Sequence, residues 1–165
     1  RRRNLPGRNN HCDSHSDNTL NTTSLFPTTM TYRLIINNCI EEIAKLNPFV
    51  EKVSEGFCIA RDTLFKLQLA LDEALSNSVK YAYPQGTCGT VTLEAEKINR
   101  SLIFRLIDEG KAFDPTKRKD NIDLTSKAEE RPIGGLGIFL IKQMMDDVRY
   151  ERLEGHNILI MKKNI

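Results

Sequence analysis

Glu73, Asn77 and Lys80 stand four and three residues apart in the run Leu71-Asp72-Glu73-Ala74-Leu75-Ser76-Asn77-Ser78-Val79-Lys80. At about 100° per residue, Asn77 lies about 40° from Glu73, and Lys80 about 20° to the other side. The three therefore share one helical face. An amide oxygen at Asn77 suits Mg²⁺, which keeps several waters and takes one or two protein ligands plus phosphates. Glu73, one turn earlier, can take the proton of an attacking hydroxyl or water as general base. Taken alone, such a face is most often plain solvated helix surface. Two later fragments give it weight.

The first is Asp108-Glu109-Gly110-Lys111-Ala112-Phe113-Asp114-Pro115, which follows the apolar run Leu102 to Ile107. A carboxylate at a strand end can accept a hydrogen bond from an exocyclic amine such as adenine N6, a contact of roughly 1.5–3 kcal/mol with a charged acceptor. Gly110, lacking a Cβ, lets the backbone approach a ring. Read without context, the fragment is an ordinary Asp-Gly-Pro turn. The second is Gly134-Gly135-Leu136-Gly137, just before the apolar Ile138-Phe139-Leu140-Ile141. Glycines at a helix start free backbone N–H groups for phosphate oxygens, aided by the helix dipole; a simple hinge is the alternative. No G-K-[ST] follows, so this is not a P-loop, and no strand leads into it as a dinucleotide fingerprint requires. In this order and spacing, the three fragments describe a pocket for a magnesium nucleotide.

Positioning these groups requires a framework. Tyr32 to Ile36 reads as a strand. Asn38 with Glu41 forms a capping-box pattern, opening a helix with Ile40, Ile43, Leu46 and Val50 on one stripe. Pro48 kinks that helix, or restarts it with Asn47 as cap. Asp62 is the expected cap of a second helix reaching about Tyr83, where Pro84 and Gly86 stop it. Its Leu64, Leu67, Leu71, Leu75 and Ala82 lie opposite the polar face. Val91, Leu93 and Ala95 alternate with polar residues, whereas Leu102 to Ile107 is nearly continuously apolar and is expected to be buried more deeply. Residues 111 to 132 are charged and aperiodic, as in a lid or binding loop. A third helix is expected from about Leu136 to Asp146. Val148 to Leu153 and Asn157 to Met161 form a hairpin around Glu154-Gly155. The pattern is α+β, a two-layer sandwich of a mixed sheet with helices on one face.

Composition narrows the class. The 165 residues fit one domain, with 24 basic against 22 acidic side chains and a net charge of +2. No basic stripe with interleaved aromatics points to nucleic acid, and no apolar run approaches the roughly 18 residues of a membrane span. Residues 1–29 are polar and without apolar period, and are expected to be disordered; Met30 is a candidate natural start. Residues 30–165 form the domain. The basic first residues lack the apolar core of a signal peptide. Cys12, Cys39, Cys58 and Cys88 form no C-x-x-C pair and imply a reducing cytoplasm. His11, Cys12 and His15 are read as tail residues and not as metal ligands.

The set of motifs resembles the Bergerat-type (GHKL) ATPases, and within them the bacterial anti-sigma-factor serine/threonine kinases, over about residues 30–165. Glu73 and Asn77, with Ala74, Val79, Lys80, Ala82 and Tyr83, are similar to the N box. Asp108 and Gly110 are similar to the first glycine box, and Phe113-Asp114-Pro115 to a feature of the anti-sigma subgroup. Gly134-Gly135-Leu136-Gly137 is similar to the second glycine box, and Met144 to Tyr150 to the subgroup's helix end.

The resemblance implies a Bergerat ATP-binding fold and ATP with Mg²⁺ as cofactors. Glu73 is then the catalytic base and Asn77 the metal ligand. Asn77, Lys80, Asp108, Gly110, Phe113, Gly134, Gly135, Leu136 and Gly137 bind nucleotide, and residues of about 115 to 137 form a lid that ATP orders. It implies a sigma factor and an anti-sigma-factor antagonist as partners, and a homodimer. An ATP-binding partner-switching module without transfer is the second reading, and the catalytic half of a histidine kinase the third. That third reading lacks a phosphoacceptor hairpin before residue 30 and a second early glycine after Gly110. Two departures stand out. Tyr81 occupies a position where many members have His, and the last strand offers Asn157 where relatives use a Ser or Thr hydroxyl to support the adenine-reading aspartate.

Overall fold

The computed structural model describes residues 30–117 and 136–165. Within them lie five strands, β1 (Thr31–Asn37), β2 (Thr90–Ile98), β3 (Ser101–Asp108), β4 (Asp147–Leu153) and β5 (His156–Asn164). Three α-helices accompany them: α1 (Leu46–Phe57), α2 (Arg61–Tyr81) and α3 (Leu136–Met144), with short 3-10 turns at Ile40–Lys45 and Pro115–Lys117. The first described element is β1. Residues 1–29 and most of the expected lid lie outside the described residues.

The five strands form one sheet in the order β1-β2-β3-β5-β4, and every neighbouring pair is antiparallel. This corrects the mixed sheet expected from the sequence. Between β1 and β2 the chain makes two helical passes, so it re-enters the sheet at the end it left, pairing Asn37 with Thr90. Among the described residues, α3 is the α-helix between β3 and β4, and such a crossover gives parallel strands. Strand β5 slots between them, so the two parallel strands never touch. The hairpin that delivers β5 turns at Glu154 and Gly155, both with positive φ (49° and 87°), which matches the twist of a two-residue hairpin.

Helices cover one sheet face. On α1, Leu46, Phe49, Val50, Val53 and Phe57 are buried at helical spacing. On α2, Leu67, Leu71 and Leu75 are buried as the sequence pattern requires, and Leu64 packs against the same core. They meet Leu93, Leu102, Phe104, Leu106, Leu159 and Met161 of the sheet. Each fully buried large side chain contributes about 1.5–3 kcal/mol. The apolar run of β3 is not buried on both sides. Leu102, Phe104 and Leu106 face the helices, whereas Ile103 and Ile107 lie half-buried on the other face beside the ion pairs Arg33–Glu94 and Arg105–Glu96.

Two caps differ from expectation. Asn38 does not cap a helix. Its Nδ2 donates to the Thr87 carbonyl at 2.8 Å, and its Oδ1 accepts from the Gly89 N–H at 2.8 Å. These two long-range backbone groups outcompete the local cap, and the helix restarts at Leu46 with Pro48 in its first turn, after Lys45 and not Asn47 as cap. Asp62 sits inside the first turn of α2, after Ala60, where its charge suits the helix dipole. No described helix is long and apolar enough to cross a membrane.

The junction of α3 and β4 is tied to β5 by Asp146, which accepts the Asn164 N–H at 2.6 Å and Lys163 Nζ at 3.2 Å. The Asn164 N–H is the main reason its carboxyl titrates below the ordinary value of 3.8; burial opposes this and Lys163 assists. A depressed folded value means stability that is complete above the unfolded value and is lost as pH falls through the folded one. Asp146→Asn should therefore lower the urea midpoint at neutral pH and shrink the further loss seen as pH falls below the ordinary carboxylate value. The effect should be small, because the side chain is 37% exposed.

Candidate functional site

Asp108 and Asn157 are buried polar residues, 6% and 7% exposed, facing each other across β3 and β5 in register. Asn157 Nδ2 donates to Asp108 Oδ1 at 2.7 Å and to the Lys111 carbonyl at 3.0 Å. The Gly110 N–H donates to the same Asp108 oxygen at 3.0 Å. From the helix layer, Ser78 Oγ donates to Asp108 Oδ2 at 2.9 Å. The hydroxyl missing from the last strand is thus supplied by α2, one residue beyond Asn77. Burying a carboxylate is costly unless its lone pairs are met, and three donors from three chain segments meet these.

Above this floor opens a cleft of about 270 Å³, near the roughly 300 Å³ lower bound for small-ligand sites. Ala74, Ala82, Leu106, Ile138, Ile141 and Leu159 give it apolar walls, and Asn77, Ser78, Asp108, Lys111, Tyr150 and Asn157 give it polar groups. Phe113, 45% exposed, and Tyr81, 54% exposed, also line it.

Gly110 is held at the inner end by close approach. The Lys111 N–H donates to the Ala82 carbonyl at 2.9 Å, and a Cβ on Gly110 would overlap that carbonyl and lie 2.6 Å from the Ala82 Cβ. Tyr83 supports the same junction: its hydroxyl donates to the Thr90 carbonyl at 2.6 Å and accepts the Glu109 N–H at 3.0 Å. Burial pushes its phenol above the ordinary value of 10.0, so it remains a donor.

At the other end α3 begins directly over the polar face of α2. A Cβ on Gly137 would stand 2.6 Å from Glu73 Oε2 and 3.1 Å from Asn77 Nδ2. Gly137 is therefore brought to Glu73 and Asn77 from roughly sixty residues along the chain, about one α-helix turn separating those two, with Asn77 on the cleft wall and Glu73 just outside it. Leu136, half exposed, opens α3. Lys80 is exposed and lies outside the cleft lining. Gly134 and Gly135 lie outside the described residues. Among the described residues no three His, Cys, Asp or Glu side chains converge as a metal cluster.

A profile of the histidine kinase-like ATPase domain matches residues 36–163, which is most of the chain. The chain belongs to this family. Among curated proteins it is similar to the serine-protein kinase RsbW of Listeria monocytogenes serovar 1/2a, 39% identical over 99 residues, covering 58% of this chain and 63% of the relative. It is also similar to the serine-protein kinase RsbW of Bacillus cereus strain G9842, 28% identical over 125 residues, covering 74% of this chain and 78% of the relative. The chain thus spans 63% of the length of the Listeria relative it matches. A crystal structure of the RsbU and RsbW domains of a Mycobacterium tuberculosis protein superposes with a TM-score of 0.59 at 11% identity, over 82% of this chain and 32% of that one. It shares the fold.

The sequence did not point to Ser78, which meets Asp108, nor to Tyr150 and Arg152, which both donate to Asn157 Oδ1, Arg152 also to the Gly110 carbonyl. Ser78 was legible in principle, being next to Asn77 on the side of α2 that turns toward the sheet. Tyr150 and Arg152 required the β4–β5 register.

Proposed function

We propose that this chain is a protein serine/threonine kinase that uses ATP with Mg²⁺ and acts as an anti-sigma factor in the cytoplasm. Its substrate would be a serine or threonine of an anti-sigma-factor antagonist protein. The observation that carries this reading is the meeting of Glu73, Asn77 and Gly137 at the mouth of a cleft floored by Asp108. The relatives named serine-protein kinase support it.

In this reading the apolar walls take the adenine ring and Asp108 accepts a hydrogen bond from its 6-amino group. The phosphates would lie toward Asn77 and the start of α3, since helix N-termini favour anions. Phosphoryl transfer asks mainly for positioning and charge neutralisation. Glu73 takes the proton of the partner's hydroxyl as its oxygen bonds to the γ-phosphorus, and ADP leaves with the electron pair of the broken bond. Asn77 offers a single hard oxygen, which fits an ion that draws its remaining ligands from phosphate and water; that ion would neutralise phosphate charge. Retention of Glu73 favours a kinase over a switching module without transfer. The reading includes a homodimer, which sedimentation equilibrium would measure.

The test is capture of partners from the native cell with and without ATP, with phosphosite mapping. Phosphate on a serine or threonine of a small partner is expected. Nucleotide-dependent association without transfer would replace the kinase reading by the switching module. Asn77→Ala should cost the magnesium-dependent part of ATP affinity, at least the roughly 10–100-fold that even an outer-shell partner contributes to a metal site. Titrations with and without Mg²⁺ separate that part.

A further inference from the structure

Phe65 is the most exposed large apolar side chain among the described residues, at 67%. It belongs to α2, whose Leu67 and Leu71 supply the core from the far side of the helix. A lone exposed apolar side chain is ordinary on a protein surface. Phe65 is not alone. Leu69, half-buried, stands four residues on and about 40° round the helix. Glu73 follows after another turn, its Cα about 12 Å along the axis from that of Phe65. The line Phe65, Leu69, Glu73 therefore leads along one side of α2 to the group read as the catalytic base.

The nucleotide cleft takes the other half of the helix. From α2 it is lined by Ala74, Asn77, Ser78, Tyr81 and Ala82, and by no residue before Ala74. Asp108, the adenine acceptor in this reading, meets Ser78, whereas the phosphates lie toward Asn77 and the start of α3. A nucleotide held in this sense points its γ-phosphate back along α2, toward Glu73. In phosphoryl transfer the attacking and leaving oxygens stand roughly in line across the phosphorus. ADP leaves toward the Asp108 end, so the attacking hydroxyl comes from the opposite side, over the earlier turns of α2. A stable protein contact covers about 800 Å² on each partner, a patch roughly 30 Å across. Such a patch, reaching from Glu73 over those turns, includes Leu69 and Phe65.

We propose that Phe65 and Leu69 form the docking surface for the protein that this chain phosphorylates, with Phe65 as its anchor. The occupant carries an apolar pocket for an aromatic ring about 12 Å from its reacting hydroxyl. Aromatic side chains enclosed at the centre of an interface carry a large share of binding energy. The inference rests on the kinase reading, with Glu73 as its base.

The full chain tests this with a defined probe, the protein that becomes phosphorylated when native-cell extract is incubated with the chain and ATP, then purified. Phe65→Ser should raise KM for that protein about tenfold or more. Its transfer rate at saturating partner and its calorimetric ATP affinity should stay within about twofold of wild type, since only binding of the partner is removed. Phe65→Leu keeps an apolar surface and should hold KM within about threefold. A benzophenone amino acid in place of Phe65, irradiated with ATP present, should crosslink the same protein.

Unchanged KM in Phe65→Ser would overturn the proposal, as would a lower saturated rate at unchanged KM. Crosslinking to a second copy of this chain, or within the chain itself, would assign the surface to that occupant and overturn it equally. If no protein in the extract were phosphorylated, the kinase reading would fall and the proposal with it.

Discussion

Glu73→Ala should bind ATP close to wild-type affinity and lose phosphoryl transfer by about 10²–10⁴-fold, the usual contribution of a positioned general base. The side chain lies beside Asn77 and under the start of α3, outside the lining of the cleft. Its removal therefore leaves the apolar walls and the Asp108 floor untouched. Single-turnover transfer to the partner protein, measured beside calorimetric ATP binding, separates the two effects. Equal loss of both would place Glu73 in binding. Unchanged transfer would remove it from the chemistry and turn the reading toward a switch without catalysis.

Gly110→Ala should destabilise the fold by roughly 3 kcal/mol, an overpacking cost at the upper end of the usual range because the obstruction is backbone. The added Cβ would overlap the Ala82 carbonyl, which already accepts the Lys111 N–H. A flexible side chain could swing away; the end of a 21-residue helix cannot. Relief would require β3's exit to part from α2, breaking the Gly110–Asp108 hydrogen bond and shifting the Arg152 contact. Melting should show a drop of about 10 °C for a domain of this size. Gly137→Ala makes a useful contrast, since its Cβ would meet the mobile end of the Glu73 side chain, and stability should change much less.

Much of this was legible in the sequence because it depends on local period. The stripe on α2, the alternation in β2 and the hairpin around Glu154-Gly155 are each written within about twenty residues. Glu73 and Asn77 share a face by helical geometry alone. What was not legible depends on partners far along the chain. Asn38 looked like a cap because Glu41 is three residues on, yet Thr87 and Gly89 claim its side chain. The sheet was expected to be mixed from its pattern of few helices and several adjacent strands, and only the placement of β5 between β3 and β4 makes every pair antiparallel. Ile103 and Ile107 suggested deeper burial, but the described helices cover the other face of the sheet. The row Asp108–Asn157–Arg152 joins residues 49 and five positions apart, and no window of sequence announces such a row.

The insertion of β5 between β3 and β4 also orders events during synthesis. As the chain emerges from the ribosome, β1, β2 and β3 can pair and be covered by α1 and α2, but β3 keeps one unpaired edge until the final strand is made. Asn157 and Leu159, which complete the cleft, arrive on that same strand. A nascent chain therefore has no nucleotide site, and so no ligand to stabilise it, until almost the whole domain has left the tunnel. Over that interval an apolar strand edge is open to pairing with other chains, the circumstance in which aggregation competes with folding.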